Sequence, residues 1–146
     1  NKVMEVREPI VFVASPSCGL GGNRVISLEE IMDEPFFLTE KNENYRRELD
    51  CFLESQGMVL TPFLEISNTE FIIRMIRKNR GISYLAVQEY VKRGELAVLD
   101  VADFRLAMYQ QVIYNRNKWL TKEMDAFIRI TANHSGTGSI CGGNDI

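Results

Sequence analysis

The side chains in this 146-residue sequence that could do chemistry are few, and their spacing argues against catalysis. His134 is the single histidine and sits in the Gly/Ser-rich stretch NHSGTGSICGGNDI, with no acidic or thiol partner at ligand spacing. Neither a metal site nor general acid–base work is expected of it. Cys18 lies in the Gly-flanked loop PSCGLGGN, where no neighbouring histidine supplies a base, so an unactivated thiol is expected. Gly19 to Gly22 lack both the Lys-Ser/Thr of a phosphate loop and the spacing of a dinucleotide turn. Cys18, Cys51 and Cys141 are odd in number and widely spaced, which suits reduced thiols rather than a disulfide framework or zinc. No catalytic residue, metal ligand or cofactor is therefore expected.

What remains is a set of small polar residues placed after apolar runs. Ser15 and Ser17 follow PIVFVA, Thr39 follows PFFL, and Ser67, Asn68 and Thr69 follow TPFLEI. Capping or turn formation alone accounts for any one of them. Their recurrence after three successive runs suggests a binding cleft, because ligands of parallel α/β sheets sit beyond the carboxyl ends of strands and helix N-termini favour anions there.

The elements that would position these residues alternate between strand and helix. PIVFVAS (Pro9 to Ser15) is a continuous β-branched and aromatic run, the pattern of a central strand covered on both faces. Ser27 and Glu30 predict a capping box opening a short helix, and PFFLT (Pro35 to Thr39) predicts the next strand. Tyr45, Leu49, Phe52 and Leu53 recur at helical spacing, with Arg46, Asp50 and Glu54 as an opposite charged row and Gly57 as the stop. After the strand Thr61 to Ile66, Ser67 and Glu70 predict a second capping box, and the helix they open should end near Asn79. ISYLAV is the next strand, VQEYVKRG a short helix, ELAVLDV and LAMYQQVIYN (Leu106 to Asn115) two further strands, and TKEMDAFIRI a helix capped by Thr121. The alternation predicts an α/β fold with a largely parallel sheet over residues 1–130 and a flexible tail over 131–146.

Composition narrows the partners. A formal net charge of -3 gives no basic field for phosphate backbones, so this segment is not expected to bind nucleic acid by itself. No apolar run approaches the roughly 18 residues that span a bilayer and no signal core is present, so a soluble, cytoplasmic protein with no membrane partner is expected.

The order of PIVFVASPSCGL, VISLEEIMDEPFFLTE, YRRELDCFLESQG and EISNTEFIIRMIRKNRGISYLAVQEYVKRGELAVLDV resembles the effector-binding region of LysR-type transcriptional regulators, over roughly Pro9 to Ile130. Cys18-Gly19-Leu20 stands where that family often has His-Pro-Leu, Asn79 where it has the first glycine of G-x-G, and Ala86 where it has proline. The resemblance implies a periplasmic-binding-protein type II-like subdomain, mainly the second of two, with a mostly parallel mixed sheet flanked by helices. It implies a sensor of a small, anionic effector held by Ser15 and Ser67, with Asn68, Thr69 and Thr39 nearby. It further implies a homodimer or homotetramer, formed through a surface like Tyr45 to Gln56 with Thr61 to Ile66, and DNA contact only through an N-terminal helix-turn-helix absent from this chain. A solute-binding or dehydratase-type domain of the periplasmic-binding kind is the alternative, and a plain protein-interaction domain a third.

Overall fold

The computed structural model describes residues 2–20, 22, 24–113, 119 and 121–134. Its elements in chain order are β1 (Lys2–Ala14), β2 (Val25–Ile26), α1 (Leu28–Ile31), β3 (Phe37–Leu38), α2 (Asn44–Ser55), β4 (Leu64–Glu65), α3 (Thr69–Arg77), β5 (Ser83–Leu85), α4 (Gln88–Lys92), β6 (Ala97–Val101), β7 (Leu106–Ile113) and α5 (Lys122–His134). Pro9–Leu106 forms one compact unit, and the described residues on either side of it form another.

The larger unit is built on a sheet in the order β2-β6-β1-β5, and the β3-β4 pair joins it through a parallel bridge from Phe36 to Ile82. Two backbone bonds of 2.9 Å, Phe37 N–H to Ile82 and Ile82 N–H to Pro35, make that join. A Cβ on Gly81 would lie 2.1 Å from the Pro35 carbonyl oxygen, so glycine is what lets β3 and β5 approach here. β1 is central, as its apolar run predicts, and Phe12, Val13 and Ala14 are all buried. Its direction is unexpected. β1 is antiparallel to both β5 and β6, whereas β2 is parallel to β6 and β3 to β4, so five strands share one direction and β1 opposes them.

Alternate residues of β1 face different layers. Val13 belongs with Phe37, Ile72, Ile73, Ile76 and Leu85, so α3 lies on that face. Each such buried aliphatic contributes on the order of 1.5–3 kcal/mol. Phe12 meets Tyr84 at 4.6 Å in a tilted pair, and Tyr84 reaches α2 both at Tyr45, at 6.2 Å, and through Phe104, which stacks at 4.7 Å on Phe52, so α2 covers the other face. Asn79 ends the α3 segment with φ 55, the left-handed conformation expected of it.

In the smaller unit β7 pairs with β1, and the side chain of Gln110 donates to Glu8 at 2.8 Å while Gln111 donates to Glu5. Thr121 caps α5 by accepting from the Met124 N–H at 3.3 Å. α5 continues to His134, so residues 131–134 lie in a helix rather than in the tail; residues 135–146, with Cys141, lie outside the described residues.

Candidate functional site

Strand direction decides which of the expected site residues can meet. β2, β3, β4, β5 and β6 all end at one edge of the sheet, and α1, α2, α3 and α4 begin there. Thr39, Ser67, Asn68 and Thr69 therefore gather at that edge, after β3 and β4. Ser15 does not. Because β1 is reversed, Ser15 follows its end at the opposite edge, level with Gly81 and Pro35. Four residues along the strands at about 3.3 Å each, and two strand spacings of about 4.8 Å across, put Ser15 roughly 16 Å from Thr39. Its hydroxyl is also buried and engaged locally, 2.8 Å from the Ser17 hydroxyl and accepting from the Ser17 N–H at 3.3 Å. The expected convergence of three strand ends is thus corrected to two.

The cap of α3 is shifted by one residue from its expected place. Asn68, not Ser67, is the N-cap, and its Oδ1 accepts from the Phe71 N–H at 3.0 Å. Glu70 does not close a box; its carboxylate accepts the Tyr90 hydroxyl at 3.0 Å, which raises the pKa of that phenol. Ser67 and Thr69 are exposed, whereas the Asn68 amide oxygen is engaged at the helix start.

The other helix starts differ in how their N–H groups are satisfied. At α1 the predicted capping box is present, with Glu30 N–H on the Ser27 hydroxyl at 3.4 Å and Ser27 N–H on Glu30 at 3.1 Å. Asp103 adds a second acceptor by taking the Leu28 N–H at 2.7 Å. The bond from the Ser27 backbone, and Arg24 nearby, hold the Glu30 carboxyl below its usual range. At α2 no side chain caps the helix. Thr39, buried just before it, has a hydroxyl with no hydrogen-bond partner within bonding distance. Burial raises the Tyr45 phenol in the first turn, and the nearby Thr39 hydroxyl offsets part of that rise.

Arg46 is the residue that sequence reasoning missed. Placed in an exposed charged row by its spacing, it is instead 1% exposed. Its Nη1 donates to the Thr39 carbonyl at 2.7 Å and to Glu65 at 3.1 Å, and its Nε donates to Asp50 at 3.1 Å. The i,i+4 spacing to Asp50 was the one available signal; Glu65 comes from another element. On the outer side Arg46 lines a groove of about 250 Å³ with Lys41, Asp50, Leu53, Met58 and Leu60. That groove lies along α2 and the approach to β4. Among the described residues no group of three or more His, Cys, Asp or Glu could hold a metal, and no helix is long and apolar enough to cross a membrane.

Most of the chain matches one known family model. Residues 5–136 match the LysR substrate binding domain. The chain belongs to that family. It is 29% identical over 138 residues to the HTH-type transcriptional activator CmpR of Synechocystis sp., covering 92% of this chain and 45% of CmpR. It is 30% identical over 125 residues to the HTH-type transcriptional regulator CbbR of Rhizobium meliloti, covering 83% and 40% respectively. The chain therefore spans less than half the length of these relatives. Among solved structures, the Synechocystis PCC6803 CcmR regulatory domain in complex with 2-PG superposes with TM-score 0.71 at 23% identity, over 93% of this chain and 67% of that one. The effector binding domain of QuiR in complex with shikimate gives 0.69 at 12%, over 92% and 65%. The LysR-domain fold is thus the periplasmic-binding type II-like α/β fold with a mixed sheet flanked by helices, and the dehydratase-type alternative is not favoured.

Proposed function

We propose that this chain is the ligand-sensing part of a LysR-type transcriptional regulator, taking a small anionic effector where β3 and β4 end, and that it has no catalytic activity. The observation carrying this reading is the buried, unpartnered Thr39 hydroxyl beside a helix start that no side chain caps. Unsatisfied N–H groups and a neutral hydroxyl can hold an anion without a dedicated cation. Ser67 and Thr69 add exposed hydroxyls from α3, and Asn68 contributes backbone only. Ser15 has no part in this site. The ligands bound by CcmR and QuiR, 2-phosphoglycolate and shikimate, are both acids, which supports the anionic class.

DNA contact belongs to a helix-turn-helix outside this chain. Assembly as a homodimer or homotetramer uses the outer face of α2 and β4 with the segment joining them, where Val59 and Phe63 are 84% and 73% exposed. Effector binding biases the arrangement of subunits and so the regulator's output in the cytoplasm. Calorimetry on the full-length regulator with 2-phosphoglycolate, shikimate and inorganic phosphate tests the reading. Saturable binding of at least one is expected, and binding of none contradicts it.

A further inference from the structure

We infer that Arg46 is a positioning residue that links the effector edge to the outer face of α2 and β4, an inference that rests on the effector reading above. Its guanidinium is nearly inaccessible, with a side chain 2% exposed, yet it bonds to three residues at once, one after β3, one on its own helix and one on β4. The Thr39 carbonyl lies at the effector edge, Asp50 one turn along α2, and Glu65 on β4. The two carboxylates are 34% and 33% exposed, and Asp50 lines the groove together with Val59, so the contact runs outward from the effector edge.

The guanidinium is a rigid plane whose N–H groups point in fixed directions. Nη1 serves both Thr39 and Glu65, so a shift of the Thr39 carbonyl when its neighbouring hydroxyl engages a ligand must turn the plane and re-aim the bonds to Glu65 and Asp50. Lysine would keep the charge and lose this geometry, because a single ammonium cannot hold the three acceptors in one plane.

Two variants of the full-length protein, probed with 2-phosphoglycolate, shikimate and inorganic phosphate, separate positioning from mere support. Binding is read by calorimetry, and hydrogen exchange is read at the Leu64 and Ile66 amides, which bond to the carbonyls of Phe36, just before β3, and Leu38. In the wild type the bound probe should slow those amides at least fivefold. Glu65→Gln should keep the urea midpoint and hold Kd within about threefold, while the probe no longer slows β4. Arg46→Lys should weaken Kd at least tenfold. Retained slowing in Glu65→Gln, or wild-type affinity in Arg46→Lys, overturns the inference. Failure of all three probes on the wild type overturns the effector reading instead.

Discussion

The starts of α1 and α2 follow strand ends on the same edge of the same sheet, yet the chain treats them in opposite ways. At α1 the N–H groups are filled from within, by Ser27, Glu30 and the Asp103 carboxylate. At α2 no side chain caps the helix, and the buried hydroxyl beside it is left without a partner. Leaving a buried polar group unpaired costs about 1–3 kcal/mol. The start of α4, with Val87 as its N-cap, is not capped by a side chain either, so what sets the start of α2 apart is the buried Thr39 hydroxyl near it. The bonds of Arg46 to Thr39, Asp50 and Glu65 keep the open end in place without closing it.

Substitutions at the two ends should separate structure from sensing. The largest effect is expected for Arg46→Met, which removes the bond to the Thr39 carbonyl and leaves two carboxylates without their cation. Urea unfolding should show a loss of about 3 kcal/mol, discounted from a fully buried pair because Asp50 and Glu65 are part-exposed. At the filled end, Asp103→Ala removes a charged acceptor from the first turn of α1 and should cost about 2 kcal/mol by the same measurement, with effector affinity unchanged. Next comes alkaline pH. Burial raises the Tyr84 phenol far above its ordinary value, with Glu48 adding to the shift, so the folded state holds a proton that the unfolded state releases above about pH 10. Stability is full below that pH and should fall by roughly 1 kcal/mol between pH 10 and 11, a loss that Tyr84→Phe should largely abolish. The smallest pair tests the shifted cap: Asn68→Ala should cost about 1 kcal/mol and Ser67→Ala under about 0.5 kcal/mol. The reverse order would restore Ser67 as the cap.

Local grammar was the legible part of this molecule. The Ser27 and Glu30 box, the left-handed Asn79, and Gly57 and Gly94 at φ 70 and 72 are set by neighbours within a few residues, and the sequence predicts each. Strand direction is set by pairing across the sheet. A strand buried on both faces has the same apolar run whichever way it points, so PIVFVAS could not reveal that β1 is reversed and that Ser15 is carried away from the cleft. Arg46 was hidden for a related reason. An i,i+4 Arg and Asp on a helix normally mark a wet face, and only the arrival of Glu65 and the Thr39 carbonyl from other elements lets the guanidinium be buried. Ser67 and Asn68 are both good caps, and the choice between them is settled partly by Tyr90, twenty residues on, taking Glu70.

If the open start of α2 receives the effector, the Thr39 hydroxyl helps to hold it, and Thr39→Val removes that hydroxyl while keeping the side chain's shape. Because the hydroxyl makes no hydrogen bond within bonding distance and acts only weakly on the Tyr45 phenol, replacing it should leave stability within about 1 kcal/mol of the wild type or raise it. Calorimetric titration of the full-length regulator, using whichever of 2-phosphoglycolate, shikimate or inorganic phosphate binds, should show affinity weakened at least tenfold in Thr39→Val, about 1.4 kcal/mol. Ser15→Ala, at the far edge, should bind like the wild type. Equal affinity in Thr39→Val and the wild type, or a loss in Ser15→Ala instead, would contradict the account.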